Sequence, residues 1–469
     1  MSDIWAAPNR AVPASYFCVG IAMSFLRTPV SYYLVHELGA SPSQQNVVVT
    51  LAMLPWSFKL VYGFISDNFP IGGMRRKPYF IAGWFIYSMC NLLLAATGRP
   101  GVQSVALLQL LGTCGFMMSD VTTDAIIVER SKNEPEETRG SMQATGYATR
   151  FCGSLLGSVL GTCVYNKERW GWGMTIGEVF LLNGLFPLLV VAPFMWTLRE
   201  SAYVPRPGDR AAALRAQCDA IFTALSLRSV FVPMAVVFTY NLFQVPNAAW
   251  RSFLVEGLKF ESFDLGLIGI VGSLFSSCGL IAYKRCFMGT GWRTIYRVTT
   301  TLTCFFSVVQ LLLIFRVNQR FGVGDLAFAL GDDALAEFVS AIQFLPVCQM
   351  YISMCPEGTE GTTYAILTTL SNVAGAVSFS IGTLLTHLWD VSNEAFAAGQ
   401  FGGMWRLTLL TSLIQPLPLV LMGYLPANAE QQRAMQGNKE SYRWGGTAFL
   451  VVLFGSLAWT IIESLIVIL

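Results

Sequence analysis

Residues 103–129 read Gln103-Ser-Val-Ala-Leu-Leu-Gln-Leu-Leu-Gly-Thr-Cys-Gly-Phe-Met-Met-Ser-Asp120-Val-Thr-Thr-Asp124-Ala-Ile-Ile-Val-Glu129. As a helix rising 1.5 Å per residue, this run is about 40 Å long, enough to cross the roughly 30 Å hydrocarbon core of a bilayer. Asp120 and Asp124 are its only charged side chains before Glu129. Each costs at least about 2.5 to 3.5 kcal/mol at a helix centre in lipid. A membrane helix that keeps two carboxylates keeps them for a purpose.

Working outward, runs of the same kind recur near 12-35, 44-65, 78-97, 140-165, 175-197, 229-250, 264-284, 292-316, 334-355, 361-386, 404-425 and 446-468. With 103-129 they make thirteen expected spans. The chain of 469 residues is 54% hydrophobic and only 12% charged, against about 25% charged in ordinary soluble domains, and its mean hydropathy is +0.53. A water-soluble protein could not cover its surface with so few charges, and barrel strands would be short and alternating. The composition therefore predicts an all-α polytopic membrane protein.

A net charge of +2 gives no reason to expect a nucleic-acid partner. Most of the 11 cysteines fall in apolar runs, among them Cys18, Cys90, Cys114, Cys152, Cys278, Cys304 and Cys348, and read as small buried hydrophobes. With only two histidines, His36 and His387, no structural zinc site is expected. No cofactor is expected either, and no nucleophile-base constellation or phosphate-binding loop marks an enzyme. Without an ATP-binding motif, any transport would draw on a gradient.

The first run contains Arg27 and is followed by further spans, so it is not read as a cleaved signal peptide. Residues 1–11 are short for a transit peptide, which favours the plasma membrane over an organelle. Basic clusters at Arg75-Arg76-Lys77, Arg130 to Arg139, Arg199 to Arg228 and Lys284-Arg285 lie at one set of span ends, which places those ends in the cytosol. The N-terminus is then inside. The thirteenth span, which carries Glu463, would put the C-terminus outside.

A polar linker divides the spans into six and six, giving bundles over 1-198 and 229-425, a linker over 199-228, and an additional segment over 426-469. Gly63-x3-Asp67 finds a counterpart in Gly279-x3-Tyr283, 216 residues on, and Arg139-Gly140-Ser141 in Glu360-Gly361-Thr362, 221 residues on. Similar offsets at corresponding loops are what a duplicated six-helix bundle gives. Such a repeat reads as a carrier that rocks two halves about a midplane site. A membrane scaffold or receptor is the alternative.

The ionisable residues inside spans are Arg27, Lys59, Asp120, Asp124, Arg150 and Glu463. Counting helix rise from the cytosolic ends puts Asp120 and Arg150 at one level, roughly 14 to 15 Å deep, and Lys59 and Asp124 at a second, roughly 8 to 10 Å deep. Asp120 and Asp124, four residues apart, share one face. Two readings stand: salt bridges that hold helices together, or a polar cavity whose charges alternate between pairing with each other and binding a charged solute. Arg27 has no carboxylate at its level and could receive a substrate carboxylate bidentately. In the second half, Tyr240, Asn241, Gln244 and Asn247 surround Pro246, which must interrupt the helical ladder, and Gln343, Gln349 and Tyr351 lie in span 10. They suit a flat heteroaromatic ligand, and hydrogen-bonded helix packing explains them equally well.

The loop Gly63-Phe-Ile-Ser-Asp67-Asn-Phe-Pro-Ile-Gly-Gly-Met-Arg75-Arg76-Lys77-Pro78-Tyr79 resembles the loop 2-3 signature of the major facilitator superfamily, with four extra residues before Arg75. With Pro55-Trp56-x2-Lys59, that longer form resembles the folate-biopterin transporter family in particular. Pro29-Val-Ser-Tyr32-Tyr33-Leu with Glu37-Leu-Gly-Ala-Ser41-Pro42, Asp120-Val-Thr-Thr-Asp124-Ala-Ile-Ile-Val-Glu129-Arg130, and Pro356-Glu-Gly-Thr-Glu360-Gly-Thr362 with Ser371-Asn372 agree, over about residues 15 to 425.

The resemblance implies a 6+6 helix bundle acting as a monomeric secondary carrier for folates or pterins, coupled to protons. Asp120 or Asp124 could accept the paired donors of a pterin edge, and Arg27, Lys59 or Arg150 could receive a glutamate tail. Either aspartate could carry the coupling proton. Asp67, Arg75, Arg76, Glu129, Arg130 and Glu360 are expected to gate the cytosolic side, Asp67 against the N-terminus of span 11 and Arg75 or Arg76 against Glu129. Partners would be the small-molecule substrate and membrane lipids. Another aromatic anion, an S-adenosylmethionine-like metabolite, or a non-transporting sensor are the alternatives. The sensor would predict loss of the charges in spans 4 and 5, which are present.

Overall fold

A computed structural model of the chain describes residues 4–131, 141–200, 215, 218–219, 222–287, 289–354, 360–437 and 440–468. Helices dominate it, and among the described residues extended pairing is limited to two isolated bridges. Among those residues nine helices are long and apolar enough to cross a membrane, or ten when one bent pair is taken as a single span. The composition leads to this result directly: in lipid, backbone groups must be satisfied within the segment, and helices do so.

The helices that matter below are α1 (Ala11–Ser24), α2 (Arg27–Tyr32), α3 (Pro42–Met53), α4 (Lys59–Asn68), α5 (Lys77–Ala96), α6 (Val102–Ser131), α7 (Ser141–Val164) and α8 (Ile176–Val190). They continue with α9 (Arg228–Phe243), α10 (Ser262–Ala282), α11 (Trp292–Ile314), α12 (Asp325–Met354), α13 (Glu360–Leu385), α14 (Gly402–Ile414) and α15 (Arg443–Ile468). Three expected spans differ from simple rods. The second is bent by 44° where a tight 3-10 turn, Leu54–Phe58, separates α3 from α4, with Pro55 in the first positions of that turn. The seventh ends at Phe243, and residues 244–247 are not helical. Pro246 lacks an N–H and clashes with the preceding turn, so the ladder stops before it. The tenth is longer than expected, because α12 begins at Asp325 and so includes Asp332 and Asp333.

Two compact units emerge, one comprising Met1–Ala40, Leu51–Arg206 and Lys259–Ile270, the other Ser41–Thr50, Pro207–Leu258 and Val271–Leu469. In the first, α1 lies against α7 and α5 against α6 and α8. Small residues let α1 and α7 meet backbone to backbone. A Cβ on Gly153 would overlap the carbonyl oxygen of Phe17, and one on Gly20 would overlap that of Arg150. Gly153, Gly157 and Gly161 repeat at intervals of four along α7, so one face stays open to α1. The apolar core beneath includes Tyr16, Phe80, Trp84, Met117 and Ile127.

In the second unit α11 packs on α12 and α14, and α13 packs on α9 and α15. Asn46, on the α3 stretch that belongs to this unit, donates to the Phe379 carbonyl at 2.6 Å and to Thr383 at 2.7 Å.

Candidate functional site

Asp120 on α6 is fully buried in the first unit. Its Oδ2 accepts a hydrogen bond from Lys59 Nζ on α4 at 3.1 Å, and its Oδ1 stands 3.2 Å from Arg150 Nη1 on α7. One carboxylate thus joins three helices. Oδ1 meets Arg150 as an ion pair without hydrogen-bond geometry, so it keeps an unused acceptor. The indole of Trp56, in the turn that bends span 2, lies 4.6 Å under Lys59 Nζ and 5.8 Å from the Arg150 guanidinium. A cation above an indole face is attracted by the ring quadrupole. The exposed sides of the cluster are the cations, Lys59 at 26% and Arg150 at 12%, while Asp120 shows nothing.

Depth counting pairs Asp120 with Arg150, and these two do meet. It also sets Lys59 level with Asp124, but Lys59 bonds to Asp120, one turn further out. The reason is local: the 3-10 turn and bend re-aim α4 at its first residue, and the flexible four-carbon stem of lysine covers the remaining height. Asp124 instead accepts from the hydroxyl of Tyr16 on α1, whose ring is 5.8 Å from that of Tyr147 on α7. Among the described residues, no cation forms an ion pair with Asp124. Around this core Ser15 and Thr123 share a hydrogen bond of 3.0 Å, and Trp84 Nε1 donates to Ser15 at 3.1 Å.

Arg27 opens α2 and is exposed, with no ion pair among the described residues. It lies one turn beyond Met23, whose sulfur is 3.5 Å from Arg150 Nη2. A free guanidinium therefore follows the Lys59–Asp120–Arg150 group along α1 and α2.

The loop after α4 forms a second group. Arg76, itself buried, reaches Asp67 Oδ1 at 2.6 Å, Glu129 Oε1 at 3.1 Å and Ser66 Oγ at 2.8 Å, and Arg75 stands 3.6 Å from Glu129. Glu200, missed in the sequence reading, accepts from the backbone N–H groups of Arg75, Arg76 and Lys77 at 2.7 to 2.9 Å. A carboxylate on the unpaired donors at the start of α5 is a favourable cap. Pro78 signals that helix start, but nothing local points to a partner 123 residues away. Arg130 bonds to Asn9 and to the Arg199 carbonyl, and burial pulls its guanidinium below the ordinary value. The expected partner of Asp67, the first turn after Pro356, lies outside the described residues, as does the Arg139-Gly140 half of the loop repeat. Glu360 begins α13.

In the second unit Tyr240 is buried, its hydroxyl 2.8 Å from Thr300 Oγ1 and donating to Gln343 Oε1 at 3.1 Å, its ring edge-on to Tyr296 at 4.8 Å. Gln244 donates to the Gln415 carbonyl at 3.2 Å and Asn247 to Thr408 at 2.8 Å. These polar groups stitch helices together. The half-buried Asn241 amide has no hydrogen-bond partner among the described residues. Glu337, Asp332 and Asp333 on α12 are charged residues the sequence reading passed over. Asp332 is buried and accepts from Gln310 at 3.0 Å.

Helices long enough to span a membrane, in two units, with a buried carboxylate shared between two cations, define a solute transporter of the major facilitator type. Solved structures agree on the fold: a mutant of the nucleoside transporter NupG superposes with a TM-score of 0.64 at 12% identity over 89% of this chain and 99% of its own. A D-xylose-proton symporter does so at 0.60 and 14% identity, over 89% and 98%. The chain belongs to the BT1 family, whose model matches residues 19–443. A folate-biopterin transporter of Synechocystis sp. is 30% identical across 90% of this chain and 82% of that relative. Folate transporter 1 of Plasmodium falciparum is 22% identical across 88% and 79%. The protein is therefore an integral, multi-pass membrane transporter of the folate-biopterin transporter family, with a small-molecule substrate.

Proposed function

We propose that this transporter carries folate or unconjugated pterins such as biopterin by alternating access, driven by protons. The observation that carries the reading is the burial of Asp120 between Lys59 and Arg150. Two cations sharing one carboxylate leave net positive charge on the exposed side of the group, and Arg27 extends it by a turn. An anionic solute that takes Lys59 and Arg150 from Asp120 exchanges one set of ion pairs for another, so helices α4, α6 and α7 are free to separate. That is differential binding to two states, which a ligand-driven transition requires.

Trp56, with Lys59 and Arg150 beside it, suits a flat, electron-poor bicyclic ring, and the guanidinium of Arg27 suits a glutamate carboxylate. Both features fit the solutes for which the Synechocystis and Plasmodium relatives are named. Asp124, one turn inward with a tyrosine hydroxyl on it and no paired cation among the described residues, is the proton carrier in this scheme, with Asp120 as the switch. In the second unit Asn241 keeps an unspent amide that could meet a solute, whereas Tyr240 and Gln244 are committed to neighbouring helices. Within the first unit Asp67, Arg75, Arg76, Glu129 and Arg130 serve as the cytosolic gate.

The test is equilibrium binding of folate and biopterin to the purified protein in lipid nanodiscs, with a nucleoside and a hexose as controls. Saturable binding of either pteridine and of neither control supports the reading. Binding of neither pteridine by monodisperse protein sinks it and leaves the transporter fold intact.

A further inference from the structure

Helix α15, the last of the segments long and apolar enough to cross a membrane, contains a charge that the transport scheme does not use. Its buried stripe begins as apolar, with Phe449, Leu453 and Leu457, and ends as polar, with Thr460, Glu463 and Ser464. Glu463 is 6% exposed, and Thr460 and Ser464 are fully buried. Positions 460, 463 and 464 fall within about 100° of one helix face. On the neighbouring helix α13, the fully buried Ser380 hydroxyl stands beside the Glu463 carboxylate. Both carboxylate oxygens of Glu463 and the hydroxyl oxygens of Ser380, Thr460 and Ser464 have no hydrogen-bond partner among the described residues.

Other buried hydroxyls also lack a partner among the described residues, including Thr369 and Ser378 on α13 and Ser57, Ser88 and Ser262. What sets this group apart is that its hydroxyls accompany a buried carboxylate, whereas many others close on the backbone. Thr299, Thr411 and Ser412 turn back onto carbonyls of their own helices at 2.7 to 3.0 Å. No counter-charge to Glu463 is found among the described residues of the helices packed here either. The only other charged residues on α15 and α13 are Arg443 and Glu360, at the first turn of each helix, and on α9, which also packs against α15, Arg228 at its start. Helix α12, which also packs against α13, brings only carboxylates, Asp325, Asp332, Asp333 and Glu337. Arg443 is twenty residues from Glu463, roughly 30 Å along the helix. Arg228 is paired with Glu440 at 2.6 Å. A buried carboxylate without a counter-charge is among the costliest groups a membrane helix can hold.

We propose that Glu463, Thr460, Ser464 and Ser380 form a binding site for a monovalent hard cation, sodium, between α15 and α13. The donor set is all oxygen, which selects hard ions. It carries a single negative charge, which one sodium ion neutralises and a divalent ion would exceed. A proton would answer one oxygen and leave the hydroxyls as they are. Bound sodium would tie α15 to α13.

The site can be tested without any substrate. Purified protein in nanodiscs is titrated with sodium chloride against choline chloride at constant ionic strength, reading thermal stability and binding of radioactive sodium. The wild type should gain stability saturably with sodium, as a ligand of the native state must produce. Glu463→Gln should lose radioactive sodium binding, with an apparent affinity lower by roughly tenfold or more, an effect of at least about 1.4 kcal/mol. Should Glu463→Gln fail to fold, the milder Thr460→Val with Ser464→Ala should lower the affinity in the same direction. The proposal is overturned if sodium does not stabilise the wild type, if the response persists unchanged in these variants, or if acid pH alone reproduces it.

Discussion

Lys59 Nζ stands 3.1 Å from Oδ2 of Asp120, a carboxylate with no exposed surface. The same carboxylate holds Arg150 on a third helix. Removing one member of a buried ion pair typically costs about 3 to 5 kcal/mol, because the remaining charge is left uncompensated. Asp120→Asn should therefore abolish transport, by tenfold or more, while the protein still reaches the membrane. Solute uptake set against surface biotinylation checks this, and wild-type uptake by the variant would remove Asp120 from the transport path.

Arg27 contributes the one guanidinium near this group that is not committed to an ion pair among the described residues. Arg27→Ala should weaken folate uptake more than biopterin uptake, because only folate brings a glutamate tail for bidentate pairing. Competition between the two labelled solutes measures the ratio. Equal losses would take the tail away from Arg27.

Gly153 faces the Phe17 carbonyl across the α1–α7 contact, where even a methyl group overlaps backbone. Gly153→Val should lower the thermal midpoint in detergent and reduce monodisperse yield, since overpacking of this kind costs about 1 to 3 kcal/mol or more. Gly39, which has open space where a Cβ would stand but a positive φ of 59°, provides a contrast. Gly39→Asn should be tolerated, as asparagine accepts that backbone region.

Glu200 caps the start of α5 through three backbone N–H groups. Glu200→Ala should destabilise the first unit by about 1 to 3 kcal/mol, the cost of leaving such donors unanswered. Glu200→Gln should recover part of that loss, because an amide oxygen still accepts. Thermal melts of the two variants decide the order, and equal stability of Ala and wild type would show that the cap contributes nothing.

Arg76 binds Asp67, Glu129 and Ser66 at once. As a gate residue it should shift the balance of states: Arg76→Ala should raise the reactivity of a cysteine placed at the inner end of α4 toward a membrane-impermeant thiol reagent. Arg76→Lys, which keeps the charge but loses the fork, should fall between the two. Unchanged labelling would leave the group as a structural clasp.

Much of this was legible in the sequence, because lipid makes composition speak. Apolar runs of about 20 residues located the helices, and the price of intramembrane charge singled out Asp120, Lys59 and Arg150. What periodicity could not supply was the local bend. Lys59 pairs one turn higher than its count from the cytosolic end implies, since the turn Leu54–Phe58 changes the direction of the helix just before it. Long-range partners such as Glu200 carry no local signal at all. Tyr240 and Gln244 illustrate a third limit: polar residues beside a broken helix look alike whether they meet a ligand or a neighbouring helix, and here their side chains reach Thr300, Gln343 and the Gln415 carbonyl.

The central claim is that this transporter moves pteridines through a proton-driven exchange of ion pairs at Asp120. Uptake of labelled folate and labelled biopterin by cells expressing the protein, at two external pH values and beside Asp120→Asn, tests it most directly. The account predicts saturable uptake of at least one solute, faster at acid pH and lost in the variant. Surface-resident protein that takes up neither solute, or takes them up alike at both pH values and with Asn at position 120, would contradict it.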